Sequence, residues 1–94
     1  MTNRYRTLVA VDAQDIAQGN NTASGNPVCR AIRKHGWRGA RIQDGTFIHL
    51  YDGKEWMLTL LPKAAHAFLM RYLKGKAVMP LRFELKHEPK GGAK

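Results

Sequence analysis

Residues 26–41, NPVCRAIRKHGWRGAR, carry Arg30, Arg33, Lys34, Arg38 and Arg41 and no acid. Guanidinium suits phosphate because its planar fork donates two hydrogen bonds at once. These residues are therefore the candidate anion- or nucleic-acid-binding group. Part of the cluster has a purely structural explanation, since cations near a helix C-terminus complement its dipole. Cys29 is the chain's single cysteine, so no intrachain disulfide can form. A helix N-terminus can activate a thiol. But Cys29 lies three residues past the expected cap, and its spacing from His35 puts the two side chains on different faces. It reads as buried filler, not as a nucleophile.

The histidines, His35, His49, His66 and His87, lack the i, i+3 or i, i+4 spacing of helical metal ligands, and no CxxC accompanies them. Asp12 and Asp15 are close enough to act as a pair but are better explained as a helix cap. GWRG lacks the order of strand, glycines and helix that a nucleotide loop needs, and GKEW and LKGKA do not resemble a phosphate loop. No enzyme, cofactor or metal is expected.

The elements that position these residues follow from local pattern. YRTLVAV (5–11) reads as a strand. Asp12 caps a short helical turn, DAQDIAQ, closed by Gly19. GNNTASGN is a polar loop. Asn26 as N-cap and Pro27 at the first helical position start a helix that ends at Gly36. Its apolar face holds Val28, Ala31, Ile32 and His35, which turns Arg30, Arg33 and Lys34 toward solvent. On that basis the double reversal Arg30→Glu with Arg33→Glu leaves folding intact and weakens partner binding.

Two DG pairs, Asp44–Gly45 and Asp52–Gly53, predict two-residue type I′ turns and a meander over 38–43, 46–51 and 54–61. In that register Gln43 faces Thr46 and Tyr51 faces Lys54. One face then holds Arg38, Ala40, Ile42, Phe47, His49, Tyr51, Trp56, Leu58 and Leu60, and this bulkier face is assigned to the core. The other carries Ile48, Leu50 and Met57, a candidate patch for a partner or a second copy of the chain. If the helices covered the opposite face instead, Phe47, His49, Tyr51 and Trp56 would form a platform for stacking bases. Pro62 opens a second long helix, with Ala65, Phe68, Leu69, Tyr72 and Leu73 as its buried stripe, and LRFEL (81–85) is the last strand.

The expected fold is α+β: a two-layer sandwich in β-α-β-β-β-α-β order, a mainly antiparallel sheet with two helices on one face, a ferredoxin-like variant. Ninety-four residues make one domain, placed at 1–85, with 86–94 as a flexible basic tail. Sixteen Lys and Arg against seven Asp and Glu give a formal charge of +9, which draws polyanions to the surface. No apolar run approaches the ~18 residues of a membrane span. The opening residues lack the apolar core of a signal peptide, so a cytoplasmic protein is expected.

The series VDAQDIAQG, NPVCRAI and LPKAAHAFLMRYLKGKAVMPLRFEL resembles a family of small phage and prophage proteins. Its members carry a D-I-x-x-G turn, a C-P-[IV]-A-x-A-[IL] helix start and a closing L-P-x-x-A-x-x-F…G-x-x-V-x-P-x-x-F-x-L pattern. Leu61, Pro62, Ala65, Phe68, Gly75, Val78, Pro80, Phe83 and Leu85 fall on that closing pattern. The resemblance covers most of residues 8 to 85. Asn26 stands where the family has cysteine and Cys29 where it has alanine, so no role of the family's cysteine carries over. The resemblance implies a phage source, and hence the cytoplasm of a host cell, but no activity.

Together these features predict a non-enzymatic binding protein, acting in counter-defence or host takeover. Its partner would be anionic: a nucleic acid, a ribonucleoprotein or a nucleotide signal. The alternative is a small nucleic-acid-binding module in phage replication or regulation.

Overall fold

The computed structural model describes residues 6–43 and 46–87. Asp12 and Asp15 form a reciprocal capping box at the start of α1 (Ala13–Gln18), which follows β1 (Arg6–Val11). The Asn26 side chain accepts from the Cys29 amide and starts α2 (Pro27–Lys34), as expected of Asn before Pro. Three strands follow, β2 (Gly39–Gln43), β3 (Phe47–Tyr51) and β4 (Trp56–Leu60), then α3 (Lys63–Leu73) and β5 (Leu81–Lys86).

The architecture is α+β and its strand pairings are antiparallel. The strands make two sheets where one was expected: β1–β5 and β2–β3–β4. At the seam the Thr59 hydroxyl donates to the Lys86 carbonyl at 2.6 Å, a side-chain link between β4 and β5 in place of a backbone ladder. The inner faces of both sheets close on one core. Helix α2 packs on β1 and β2, and α3 packs on β5 and α2. Val28, Cys29, Ala31 and Ile32 come from α2, and Ala65, Phe68 and Leu69 from α3. Tyr72 is only half-buried and Leu73 is exposed, so the stripe of α3 ends a turn early.

The meander differs from expectation in register, and the difference decides which face is inside. Gln43 pairs with Phe47 and Ala40 with Leu50, leaving residues 44–46 as the connection. The Asp44–Gly45 turn itself lies outside the described residues. The observed register is one residue away from the predicted one, and a one-residue slip turns every side chain of the next strand over. Tyr51 pairs with Trp56 across a four-residue loop, a two-residue shift that preserves the face. The Asp52 carboxylate closes this loop by accepting from the amides of Lys54 (2.8 Å) and Glu55 (3.0 Å). Gly53, at φ 106°, supplies the left-handed residue.

The inner face is therefore Ala40, Ile42, Ile48, Leu50 and Met57, and Ile48 and Leu50 are fully buried. This corrects two expectations. Ile48, Leu50 and Met57 are core and cannot be a partner patch. Phe47, His49, Tyr51, Trp56, Leu58 and Leu60 face away from the core. The physical reason is polar cost: burying His49 and Tyr51 would demand partners for a ring nitrogen and a hydroxyl, whereas the aliphatic set asks for none.

Lys86 completes β5, and His87 meets Trp37 edge-on at 4.9 Å, so the fold runs past the expected boundary at residue 85. The expected tail from residue 88 on, and the strand residue Tyr5, lie outside the described residues. No helix among the described residues is long and apolar enough to cross a membrane.

Candidate functional site

The expected basic cluster divides: Arg30, Arg33 and Lys34 together line an open depression of about 290 Å³ on α2, and Arg38 and Arg41 are not part of it. Arg30, Arg33 and Lys34 lie on α2, in the helix layer, whereas Arg41 projects from the outer face of β2 and Arg38 lies over the 52–55 loop beside Gly53. Two of the α2 cations are already neutralised by carboxylates that precede them in the chain. Lys34 Nζ sits 3.0 Å from Asp12 and 2.7 Å from Asp15, and Arg30 Nε sits 3.7 Å from Asp15. Arg30 also donates to Gln18 at 3.0 Å, and Arg33 donates to the Ser24 carbonyl at 2.6 Å. The α2 cations tie α1 and the following loop to the helix, a structural task. The Arg30→Glu change would set a second carboxylate beside the buried Asp15, so a loss of stability is now the expected outcome for that variant.

Two more residues of the stretch are structural. His35 is exposed at the end of α2, not part of its buried face, and its Nε2 accepts from the Ala10 amide at 3.2 Å. Trp37 is buried and donates to the Thr7 hydroxyl at 3.2 Å. Cys29 is buried with its thiol against the Ala23 carbonyl. Burial pushes its pKa up to about 11, so it stays protonated and is no nucleophile near neutral pH. No three side chains suited to holding a metal come together among the described residues.

The Asp12–Lys34 pair makes stability depend on pH. Asp12 is held at about 2, below its ordinary 3.8, first by the amide of Asp15 and then by Lys34. Lys34 is raised above its ordinary 10.5 by hydrogen bonds to Asp15 and Asp12. Asp12 therefore stabilises the fold above pH 3.8, and that contribution is lost as pH falls through about 2. Lys34 stabilises below pH 10.5, and its share is lost as pH rises through the raised value. The urea midpoint is expected to drop on the acid side in the window set by Asp12, and Asp12→Asn is expected to flatten that limb. An unchanged acid limb in the variant would remove Asp12 from the account.

The outer face of β2–β3–β4 has a different character: large side chains open to solvent, with Tyr51 anchored by donating its hydroxyl to the Gly53 carbonyl at 3.1 Å. Trp56 is 54% exposed, Leu58 52% and Leu60 61%. Tyr51 and Trp56 stack at 5.1 Å with ring planes 29° apart, and the indole meets His49 edge-on at 6.3 Å. The indole lies across Gly39, where a Cβ would come within 3.4 Å of Trp56 and 3.2 Å of Tyr51. A side chain at this position would crowd the Tyr51 Cβ and touch the indole, so Gly39 leaves room for the stacked pair. Arg41 is paired across the ladder with His49, and these two with Trp56 line a shallow depression of about 180 Å³. Among the described residues no carboxylate pairs with Arg41 or Arg38. Beyond Phe47 the face turns aliphatic. Phe47, Leu58, Leu60 and Pro62, with Glu84 and Lys86 of β5, line a groove of about 560 Å³ between the two sheets.

Of the five candidate cations, Arg41 therefore belongs to this face and Arg38 sits at its edge. The rings beside them are those that the sequence offers as a stacking platform if the helices cover the opposite face, and the buried Ile48 and Leu50 show that the core lies on that opposite side. The signal in the sequence was the alternation of FIHLY, with rings on one parity, two of them polar, and Ile and Leu on the other.

Comparison with family models, with curated proteins and with solved structures finds no match.

Proposed function

We propose that this is a non-enzymatic binding protein whose partner is a nucleic acid, and whose working surface is the open face of β2–β3–β4. One observation carries the reading: the helix-free face presents Tyr51, Trp56 and His49 beside Arg41, a cation with no described carboxylate partner. Aromatic faces together with arginine are the means by which sheets hold nucleic-acid chains. The +9 charge supports the reading through long-range attraction of a polyanion. Within the phage setting that the resemblance implies, such a surface serves counter-defence or host takeover by occupying a nucleic acid or ribonucleoprotein of the host. The same surface could instead serve phage replication or regulation. A second reading, contact with a protein or with another copy of the chain, is favoured by the exposure of Leu58 and Leu60.

Salt titration tests the main reading. The log of the association constant should fall linearly with log salt, and Arg41→Gln should lower affinity and reduce that slope by about one. Arg33→Gln, in the helix layer, should leave the slope nearly unchanged. A slope that responds to Arg33 and ignores Arg41 would return the site to the helix.

A further inference from the structure

We infer that the open sheet face takes its nucleic acid as a single strand, with one unpaired base lying on Trp56 over the depression formed by Arg41 and His49. The inference deepens the proposed function and rests on it.

The geometry favours an unpaired base over a duplex. Trp56 is stacked on Tyr51, reaches the bare backbone of Gly39 and is more than half exposed. A broad ring face turned to solvent has most to gain from another flat, apolar ring. In a duplex those faces are occupied by neighbouring bases, and only edges and phosphates are offered. The depression of about 180 Å³ beside the indole has the scale of a single base, not of a helix groove. Its walls are chemically apt. Arg41 brings a cation that can meet the adjoining phosphate or lie against a base, and His49 brings a ring edge.

The face also has a direction. Phe47 lies on the same side of β3 as His49 and Tyr51, which places Phe47 and Tyr51 roughly 13 Å apart along the strand. That separation suits a run of two or three nucleotides laid across the sheet, the usual reach of such platforms. Stacking makes no demand on base identity, because every base has a flat face. The site is therefore tolerant of sequence and selective for strandedness.

The test uses the full chain with two probes, a short oligothymidylate and the same strand annealed to oligoadenylate. The single strand is expected to bind at least about tenfold more tightly than the duplex, with Trp56→Ala removing most of that advantage and Trp56→Phe keeping it. Both variants should fold, since Trp56 is more than half exposed, and circular dichroism checks this. Tryptophan emission of the wild type should be quenched by the single strand, and the quenching should vanish in Trp56→Phe, where buried Trp37 is the remaining indole. Equal affinity for the two probes, or an undiminished Trp56→Ala, would overturn the single-strand site while leaving nucleic-acid binding in place. Binding of neither probe, together with self-association abolished by Leu58→Glu, would overturn both in favour of a second copy on this face.

Discussion

Leu50→Ala is expected to lower the melting temperature by at least about 10 °C, while Leu58→Ala shifts it by no more than a few degrees. The two leucines sit one strand apart in the same small sheet, but on opposite faces of it. Leu50 has no exposed surface and packs in the shared core, so truncation leaves a cavity and costs about 2–5 kcal/mol. In a domain of this size each kcal/mol is worth roughly 4–8 °C. Leu58 is 52% exposed and has little packing to lose. Thermal unfolding followed by circular dichroism reads both. Equal losses, or the larger loss at Leu58, would put the helices on the wrong side of the sheet and dissolve the proposed site with them.

The second large effect is expected at Asp15. Asp15→Ala should reduce unfolding free energy by about 2–4 kcal/mol at neutral pH. The carboxylate is 1% exposed and does several things at once. It accepts from the Asp12 amide at 3.1 Å, closing the capping box of α1. It also faces Lys34 at 2.7 Å and Arg30 at 3.7 Å, which joins α1 to α2. Without it the Arg30 Nε, buried and with no hydrogen-bond partner, faces an empty position. Lys34 is half-exposed and can return to water, which moderates the loss. Asp15→Asn keeps the shape and the acceptor while removing the charge, so an intermediate loss is expected. Denaturant titration separates the two variants. If Asn were as damaging as Ala, the charge alone would account for the effect and the cap for none of it.

This network shows where sequence reasoning reached its limit. Between Asp15 and Asp44 the chain has no acid, and a helix with Arg30, Arg33 and Lys34 on its polar side looks like an uncompensated cationic surface. The compensation comes from Asp12 and Asp15, which precede the helix by a loop and return to it only in the folded molecule. Asp12 was legible as a cap, because a cap is a contact three residues long. Its bond to Lys34 spans 22 residues and depends on how α1 docks on α2.

The sheet teaches the same lesson through register. The strands were visible in the alternation of FIHLY and WMLTL, and the Asp52–Gly53 pair marked a real connection. Asp52 then spent its carboxylate on the amides of Lys54 and Glu55 and lengthened the second turn without changing the face. The first connection took one residue more than a type I′ turn, and that exchanged inside for outside.

What the sequence determined by itself was local and short-ranged: the α+β class, the caps at Asp12 and Asn26, the apolar stripes of α2 and α3 up to their last turns, and the overall positive charge. Each is written within one or two turns of chain, where spacing alone decides who meets whom. Only the tertiary structure decided which side of the meander the helices cover, and therefore that Ile48 and Leu50 are core while Trp56 and Arg41 meet water. That choice compares the cost of burying a histidine and a tyrosine against burying aliphatic chains. It also depends on where helices from distant parts of the chain dock, so the alternation of FIHLY hints at the choice without making it.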